Sequence, residues 1–167
     1  MMLNRLRDFL DRNNVKYTII SHSQAFTAQE IAMIAHIPGK TLAKTVIVKV
    51  DGKLLMVVLP ATDMVDFKLL KKSVGGTTVQ LAGEDEFRYR FPESELGAMP
   101  PFGNLYNMDV LVADDLAEDE EIAFNAGSHR ELVKMAYKDF AELVQPKLAK
   151  LSVRKHIHAD ENWGYNA

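Results

Sequence analysis

The sequence contains no cysteine. That absence excludes a disulfide scaffold, a zinc ribbon, an iron–sulfur site and a thiol nucleophile together. Nor does any run approach the ~20 apolar residues that span a bilayer. Residues 1–14 are interrupted by Arg5, Arg7, Asp8 and Asp11, which does not fit a secretory signal. Excess charge of one sign is lacking too: 20 Lys and Arg face 23 Asp and Glu, a formal net charge of −3. Such a balance argues against nonspecific coating of nucleic acid and leaves room for a local basic patch. Internal repeats and low-complexity tracts are absent. What is present is 167 residues, 47% of them hydrophobic, which excludes a disordered chain and is expected to form one globular domain over 1–167, cytoplasmic and without membrane contact.

Leu3, Leu6, Phe9 and Leu10 recur at helical spacing and predict a first helix ending near Asn13-Asn14, followed by a strand over 15–20. Thr27 and Glu30 have capping-box spacing ahead of a helix from about 28 to His36, stopped by Pro38-Gly39. Residues 42–50 are rich in β-branched side chains, and Asp51-Gly52 supplies turn chemistry before a second strand over 54–59, a hairpin signal. Thr62 is placed to cap a helix running to about Ser73 and ended by Gly75-Gly76. Then follow a strand over 77–81, a short helix over 84–90, a Pro- and Gly-rich loop over 91–103 and strands over 105–107 and 110–113. The acidic stretch 114–121 reads as a solvated turn without function. A second hairpin pairs 121–125 with a return strand reaching Tyr137, and a last helix covers about 139–144. The tail from about 154 to 167 reads as loosely structured. Strands outnumber helices and hairpins join most of them, so the expected class is α+β, a mixed and mostly antiparallel sheet with flanking helices.

Several constellations have bland readings beside functional ones. Residues 27–43 have the cadence of a DNA-binding helix-turn-helix, with Ile31, Ala32, Ala35 and Ile37 where that motif buries its turn. The second helix would have to be built from 40–50, where the β-branched run prefers a strand, so a noncatalytic nucleic-acid module is the alternative reading and specific DNA is not an expected partner. The five histidines are scattered except for His156 and His158, and no metal or other cofactor is expected. Ser128 and His129 are adjacent, a poor geometry for a nucleophile and its base. Lys44, alone, is an edge-strand lysine. Gly97 to Gly103, with Pro100 and Pro101, is alone a loop whose prolines stiffen it, and Gly127-Ser128-His129 alone is a hairpin turn.

Together these residues resemble a known family. Ser21-His22-Ser23 with Phe26-Thr27-Ala28-Gln29-Glu30, Ala43-Lys44-Thr45-Val46, Gly97 with Pro100-Pro101-Phe102-Gly103, and Phe124-Asn125-Ala126-Gly127-Ser128-His129 stand in order across about residues 15–148. The chain so resembles the YbaK/prolyl-tRNA-synthetase-associated domain family, freestanding relatives of the editing domain inserted in bacterial prolyl-tRNA synthetases. The resemblance implies the fold of that family, a partly closed barrel with flanking helices. It implies deacylation of mischarged tRNA in trans, without a metal or a covalent intermediate, with the tRNA acceptor end and a prolyl-tRNA synthetase as partners. On it, Lys44 binds phosphate or the terminal nucleotide, the Gly127 and Ser128 backbone polarises the ester, and His129 orients the amino acid or ribose. The loop of Gly97, Pro100, Pro101, Phe102 and Gly103 bounds the amino-acid pocket, His22 and Thr27 stand at its rim, and Asn125 is a further substrate-binding residue. Thr45 stands where some alanine editors carry Asn, so the resemblance narrows the substrate to tRNA(Pro) bearing Ala, Ser or Cys and no further.

Overall fold

The computed structural model describes residues 2–25 and 27–154. Helix α1 (Asn4–Arg12) turns Leu6 and Leu10 into the core and ends at Asn13, with Asn14 at φ 57°. Strand β1 (Tyr17–Ser21) leads towards helix α2 (Ala28–Ala35). The Glu30 N–H donates to Thr27 Oγ1 at 3.1 Å, as the capping spacing predicts, while the Glu30 carboxylate accepts from the Thr27 hydroxyl at 2.9 Å. His36 closes that helix in the left-handed region, and the chain then enters strand β2 (Ala43–Val50). No second helix lies between residues 36 and 50, which removes the helix-turn-helix alternative: four β-branched residues in a row, Thr45 to Val48, sit within a ladder with strand β3 (Lys53–Pro60). Asp51 and Gly52, at φ 49° and 86°, make the turn of that hairpin.

The next segment corrects the sequence reading. Residues 63–65 form strand β4 (Asp63–Val65), and helix α3 (Phe67–Val74) is capped by Asp66, whose carboxylate accepts from the N–H groups of Lys68 and Leu69, rather than by Thr62. Strand β5 (Val79–Leu81) and the short helix α4 (Glu84–Phe87) follow. Residues 105–107 are not a strand. Gly103 opens a 3-10 turn through Tyr106, with its Cα so near the Met108 carbonyl that a Cβ would stand 2.5 Å from that oxygen. After β6 (Val110–Ala113), β7 (Glu121–Asn125) and β8 (Glu131–Ala136), Tyr137 starts helix α5 (Tyr137–Val144) instead of ending the return strand. Strands β9 (Lys147–Ala149) and β10 (Ser152–Arg154) complete the described chain, and the rest of the tail expected to be loose lies outside it.

The strands form three sheets: β5-β2-β3-β6-β9, β1-β8-β7 and β4-β10. Among the described strands only β3-β6 and β6-β9 pair in parallel, which bears out the mixed, mostly antiparallel α+β class. The pairing does not show a partly closed barrel; the two larger sheets meet at one parallel bridge, Leu42 with Ala123, backed by the Ala123 N–H donating to the Thr41 carbonyl at 3.0 Å. Strand alternation gives β2 and β3 two buried faces. Ile47, Met56 and Val58 join α1 and the rings of Phe102, Phe124 and Phe140 on one side. Val48, Val57 and Leu59 meet Leu70 of α3 and Leu151 on the other. A third cluster of Ala25, Ile31, Leu42, Ala61, Ala123 and Leu132 fixes α2 over the seam between the sheets. Burying Ile31, Leu42 and Leu132 there is worth about 1.5–3 kcal/mol apiece, enough to hold a helix of two turns in place. Among the described residues no helix is long and apolar enough to cross a membrane.

Candidate active site

The seam places the predicted residues relative to one another. Leu42 and Ala123 are bridge partners in parallel segments, so two residues on, Lys44 of β2 and Asn125 of β7 return to the same face. Leu132, opposite Asn125 in the β7-β8 register, belongs to that face as well. Lys44 is half-buried there. The segment after β1 lies along the same edge, because the His22 N–H donates to the Arg130 carbonyl at 2.9 Å and the Ala25 N–H to the His129 carbonyl at 3.2 Å. Lys44, Asn125 and His22 therefore stand along the edge of the seam that leads into the turn linking β7 to β8.

That turn is tied to residues 95–98 by four hydrogen bonds. The Glu95 N–H donates to the Gly127 carbonyl at 2.9 Å, and the Gly127 N–H donates to the Ala98 carbonyl at 3.0 Å. The His129 N–H donates to Glu95 Oε2 at 3.0 Å, and His129 Nε2 stands 2.7 Å from the Leu96 carbonyl. A carbonyl only accepts, so Nε2 carries the proton. Gly127 sits at φ 103°, and a Cβ on it would collide with Leu3, so both the turn and the N-terminal segment require glycine. The ring of His129 is 6% exposed, with Gly97 against its edge: a Cβ on Gly97 would lie 3.4 Å from His129 Cε1.

This geometry corrects two expectations. The Gly127 N–H is committed to Ala98 and is not available to polarise an ester. Within the turn the Ser128 N–H is the donor that has no acceptor among the described residues, while Ser128 Oγ accepts from the Arg130 N–H at 3.3 Å. Nor does the whole 97–103 loop line one cavity. Phe102 is fully buried, its ring 6.1 Å from Phe9, 5.4 Å from Phe124 and 5.4 Å from Phe140, which makes it core. Pro100, Pro101 and Gly103 are buried with it, and only the Gly97 end reaches the turn. Thr27 is exposed and its hydroxyl is occupied by the α2 cap.

Two buried acceptors stand open beside the turn. His22 Nδ1 is 2.6 Å from the Ser23 carbonyl and so carries the proton, which leaves Nε2 as an acceptor in the neutral ring. Among the described residues neither His22 Nε2 nor Asn125 Oδ1 has a hydrogen-bond partner, although both are shielded from solvent. A buried polar atom left unpaired costs about 1–3 kcal/mol, a cost that a bound substrate or water removes. Glu95 and Leu96, which hold His129, were not legible beforehand, since they sit in a stretch that reads only as loop.

Away from the seam, the acidic stretch is not simply solvated. Burial, then hydrogen bonding to the Asp63 carboxylate, pushes the Asp115 carboxyl up to about 7. Asp63 is itself buried and accepts from the Ser152 hydroxyl at 2.8 Å, so the pair fastens β10 to the body. Among the described residues no group of three or more His, Asp or Glu side chains is arranged to hold a metal ion. His156 and His158 lie outside the described residues.

Comparison with known proteins bears on the fold and the family. The chain is 27% identical over 150 residues to the multifunctional Ser/Thr-tRNA deacylase ProXp-y of Escherichia coli K12, covering 86% of this chain and 89% of that protein. It is 24% identical over 143 residues to the prolyl-tRNA editing protein ProX of Acetoanaerobium sticklandii, covering 81% and 86%. Among solved structures it resembles the hypothetical protein APE2540, with a TM-score of 0.81 at 18% identity over 90% of this chain and all of that one. A candidate trans-editing enzyme for prolyl tRNA synthetase superposes with a TM-score of 0.76 at 19% identity, over 91% and 96% of the two chains. The family model of the aminoacyl-tRNA editing domain matches residues 22–143, the span that runs from His22 through Lys44 and His129 to α5, and the chain belongs to that family, whose chemistry is the hydrolysis of aminoacyl-tRNA.

Proposed function

We propose that this chain deacylates mischarged tRNA in trans, acting on tRNA(Pro) that carries Ala, Ser or Cys. The observation that carries the reading is the convergence at one seam of Lys44, two unpartnered buried acceptors and an uncommitted backbone donor, Ser128 N–H. An aminoacyl ester is already activated, so placement and charge stabilisation supply most of what its hydrolysis needs. Lys44 meets a phosphate or the terminal nucleotide of the acceptor end as a point charge. The Ser128 N–H receives the carbonyl oxygen, which gains negative charge as a water oxygen bonds to the ester carbon. His22 Nε2 and Asn125 Oδ1 supply acceptors for that water. The ester C–O bond then breaks, the ribose oxygen takes up a proton, and the free amino acid and tRNA leave. His129 acts at one remove by fixing the turn, since its Nε2 proton is held by Leu96.

No metal is needed in this scheme. The E. coli relative is a Ser/Thr-tRNA deacylase, which supports a small polar side chain among the substrates. The names of the prolyl-editing relative and of the solved neighbour support tRNA(Pro) and an association with prolyl-tRNA synthetase. Incubating the protein with tRNA(Pro) charged with labelled Ala, Ser or Cys tests the reading. Ester loss above the buffer rate is expected for at least one of the three, and specific duplex-DNA binding with no ester loss overturns it.

A further inference from the structure

The fold seats the Glu95 carboxylate directly on the turn. Its Oε2 accepts the His129 N–H at 3.0 Å, and its own N–H reaches the Gly127 carbonyl at 2.9 Å, so both the backbone and the side chain are anchored. The residue is exposed, and among the described residues no Lys, Arg or His side chain lies within ion-pairing distance of it. One hydrogen bond to a backbone amide occupies part of the acceptor capacity of a carboxylate, which extends to about four sites. An uncompensated anion beside a site that receives the end of a polyanion repels its substrate, unless the substrate brings a cation to that point.

The 3′ end of an aminoacyl-tRNA carries one cationic group, the α-ammonium of the amino acid. Its position relative to the ester suits this placement. Ser128 and His129 are consecutive, so their amide nitrogens are separated by roughly 3–3.5 Å on standard backbone geometry. An α-amino ester spans a similar distance between its carbonyl oxygen and its nitrogen. With the carbonyl oxygen on the Ser128 N–H, the ammonium falls near the carboxylate that holds the neighbouring His129 N–H. Resting on the deacylase reading above, we propose that Glu95 is the α-ammonium subsite of this chain and restricts it to esters of amino acids with a free, protonated amine. The same carboxylate then links recognition to the turn, because one group both meets the amine and fixes the amide next to the oxyanion donor.

The test compares alanyl-tRNA(Pro) and seryl-tRNA(Pro) with their N-acetylated forms and with lactyl-tRNA(Pro), which has a hydroxyl in place of the amine. Wild-type protein is expected to favour the free-amine esters in kcat/KM by about 10- to 100-fold, the span of a hydrogen bond to a charged group. Glu95→Gln keeps an acceptor for the His129 N–H and loses the charge; it is expected to bring that ratio close to one. A variant that merely loosens the turn lowers both classes together and keeps their ratio. Two results overturn the subsite: a wild-type ratio near one, or a Glu95→Gln protein that keeps the wild-type ratio. The first needs no variant, so misfolding of Glu95→Gln does not leave the matter open. Wild-type protein that hydrolyses none of these esters overturns the deacylase reading instead, a separate outcome.

Discussion

His129→Ala and His129→Gln together separate a brace from a base. His129 is 6% exposed, and its Nε2–H meets the Leu96 carbonyl at 2.7 Å. Truncation to Ala removes that bond, worth about 0.5–1.5 kcal/mol net, and leaves a cavity where the ring stood, so a total loss of about 2–4 kcal/mol is expected. For a domain of this size that lowers Tm by about 6–12 °C. The backbone bond from the His129 N–H to Glu95 survives, so the protein still folds, but Gly97 loses the ring it packs against and the Ser128 donor loses its fixed aim. Misplacing such a donor costs on the order of 100-fold in kcat. Gln carries a side-chain N–H at a similar reach, so His129→Gln restores the bond to Leu96 and is expected to recover at least a third of wild-type kcat. The assay is single-turnover deacylation beside thermal unfolding of each variant. If His129→Gln folds as wild type does and is as inactive as His129→Ala, the ring takes part in proton transfer and the bracing argument is wrong.

Lys44→Ala removes a half-buried cation from the seam and is expected to lower kcat/KM by about 10- to 100-fold, with a Tm change small enough to exclude unfolding; unchanged turnover removes its role. Gly97→Ala meets ordinary van der Waals contact at 3.4 Å but forces a side chain onto φ 83°, so a loss of about 1–2 kcal/mol in denaturant unfolding is expected, with reduced activity through His129. Phe102→Ala is expected to cost about 3–5 kcal/mol without changing the preference among Ala, Ser and Cys esters, since its ring lies in the core. Asp115, with its carboxyl raised to about 7 against an ordinary value of 3.8, binds a proton in the folded state that the unfolded chain releases. Its contribution to stability is therefore full below about pH 4 and is lost as pH rises through about 7. Asp115→Asn is expected to shrink the drop in Tm between pH 5 and pH 8, and an unaltered drop contradicts the assignment.

Elements whose signals are local were readable from the sequence. The Thr27-Glu30 spacing, the Asp51-Gly52 turn and the β-branched runs each specify backbone geometry within a few residues, and the structure carries all three. Thr62 misled because Asp66 is an equally good cap four residues on, and what decides between them is the pairing of Asp63–Val65 with Ser152–Arg154, some ninety residues away. Tyr137 alternates correctly for a strand, yet the Tyr137 N–H donates to the Glu120 carbonyl at 2.9 Å as the helix begins, again a distant contact. At the site, Lys44, Asn125, Ser128 and His129 were named from motifs that keep their order in the chain. The commitments of each N–H were not readable. Whether the Gly127 amide faces a substrate or the Ala98 carbonyl depends on how residues 95–98 cross the turn, and nothing in the spelling of Glu95-Leu96-Gly97-Ala98 reports that crossing.

The most direct measurement is the initial rate of ester loss from alanyl-, seryl- and cysteinyl-tRNA(Pro) at limiting wild-type protein, with prolyl-tRNA(Pro) alongside. The account predicts many turnovers on at least one of the three small aminoacyl esters and no loss of the prolyl ester above buffer. Buffer-rate decay of all three contradicts it.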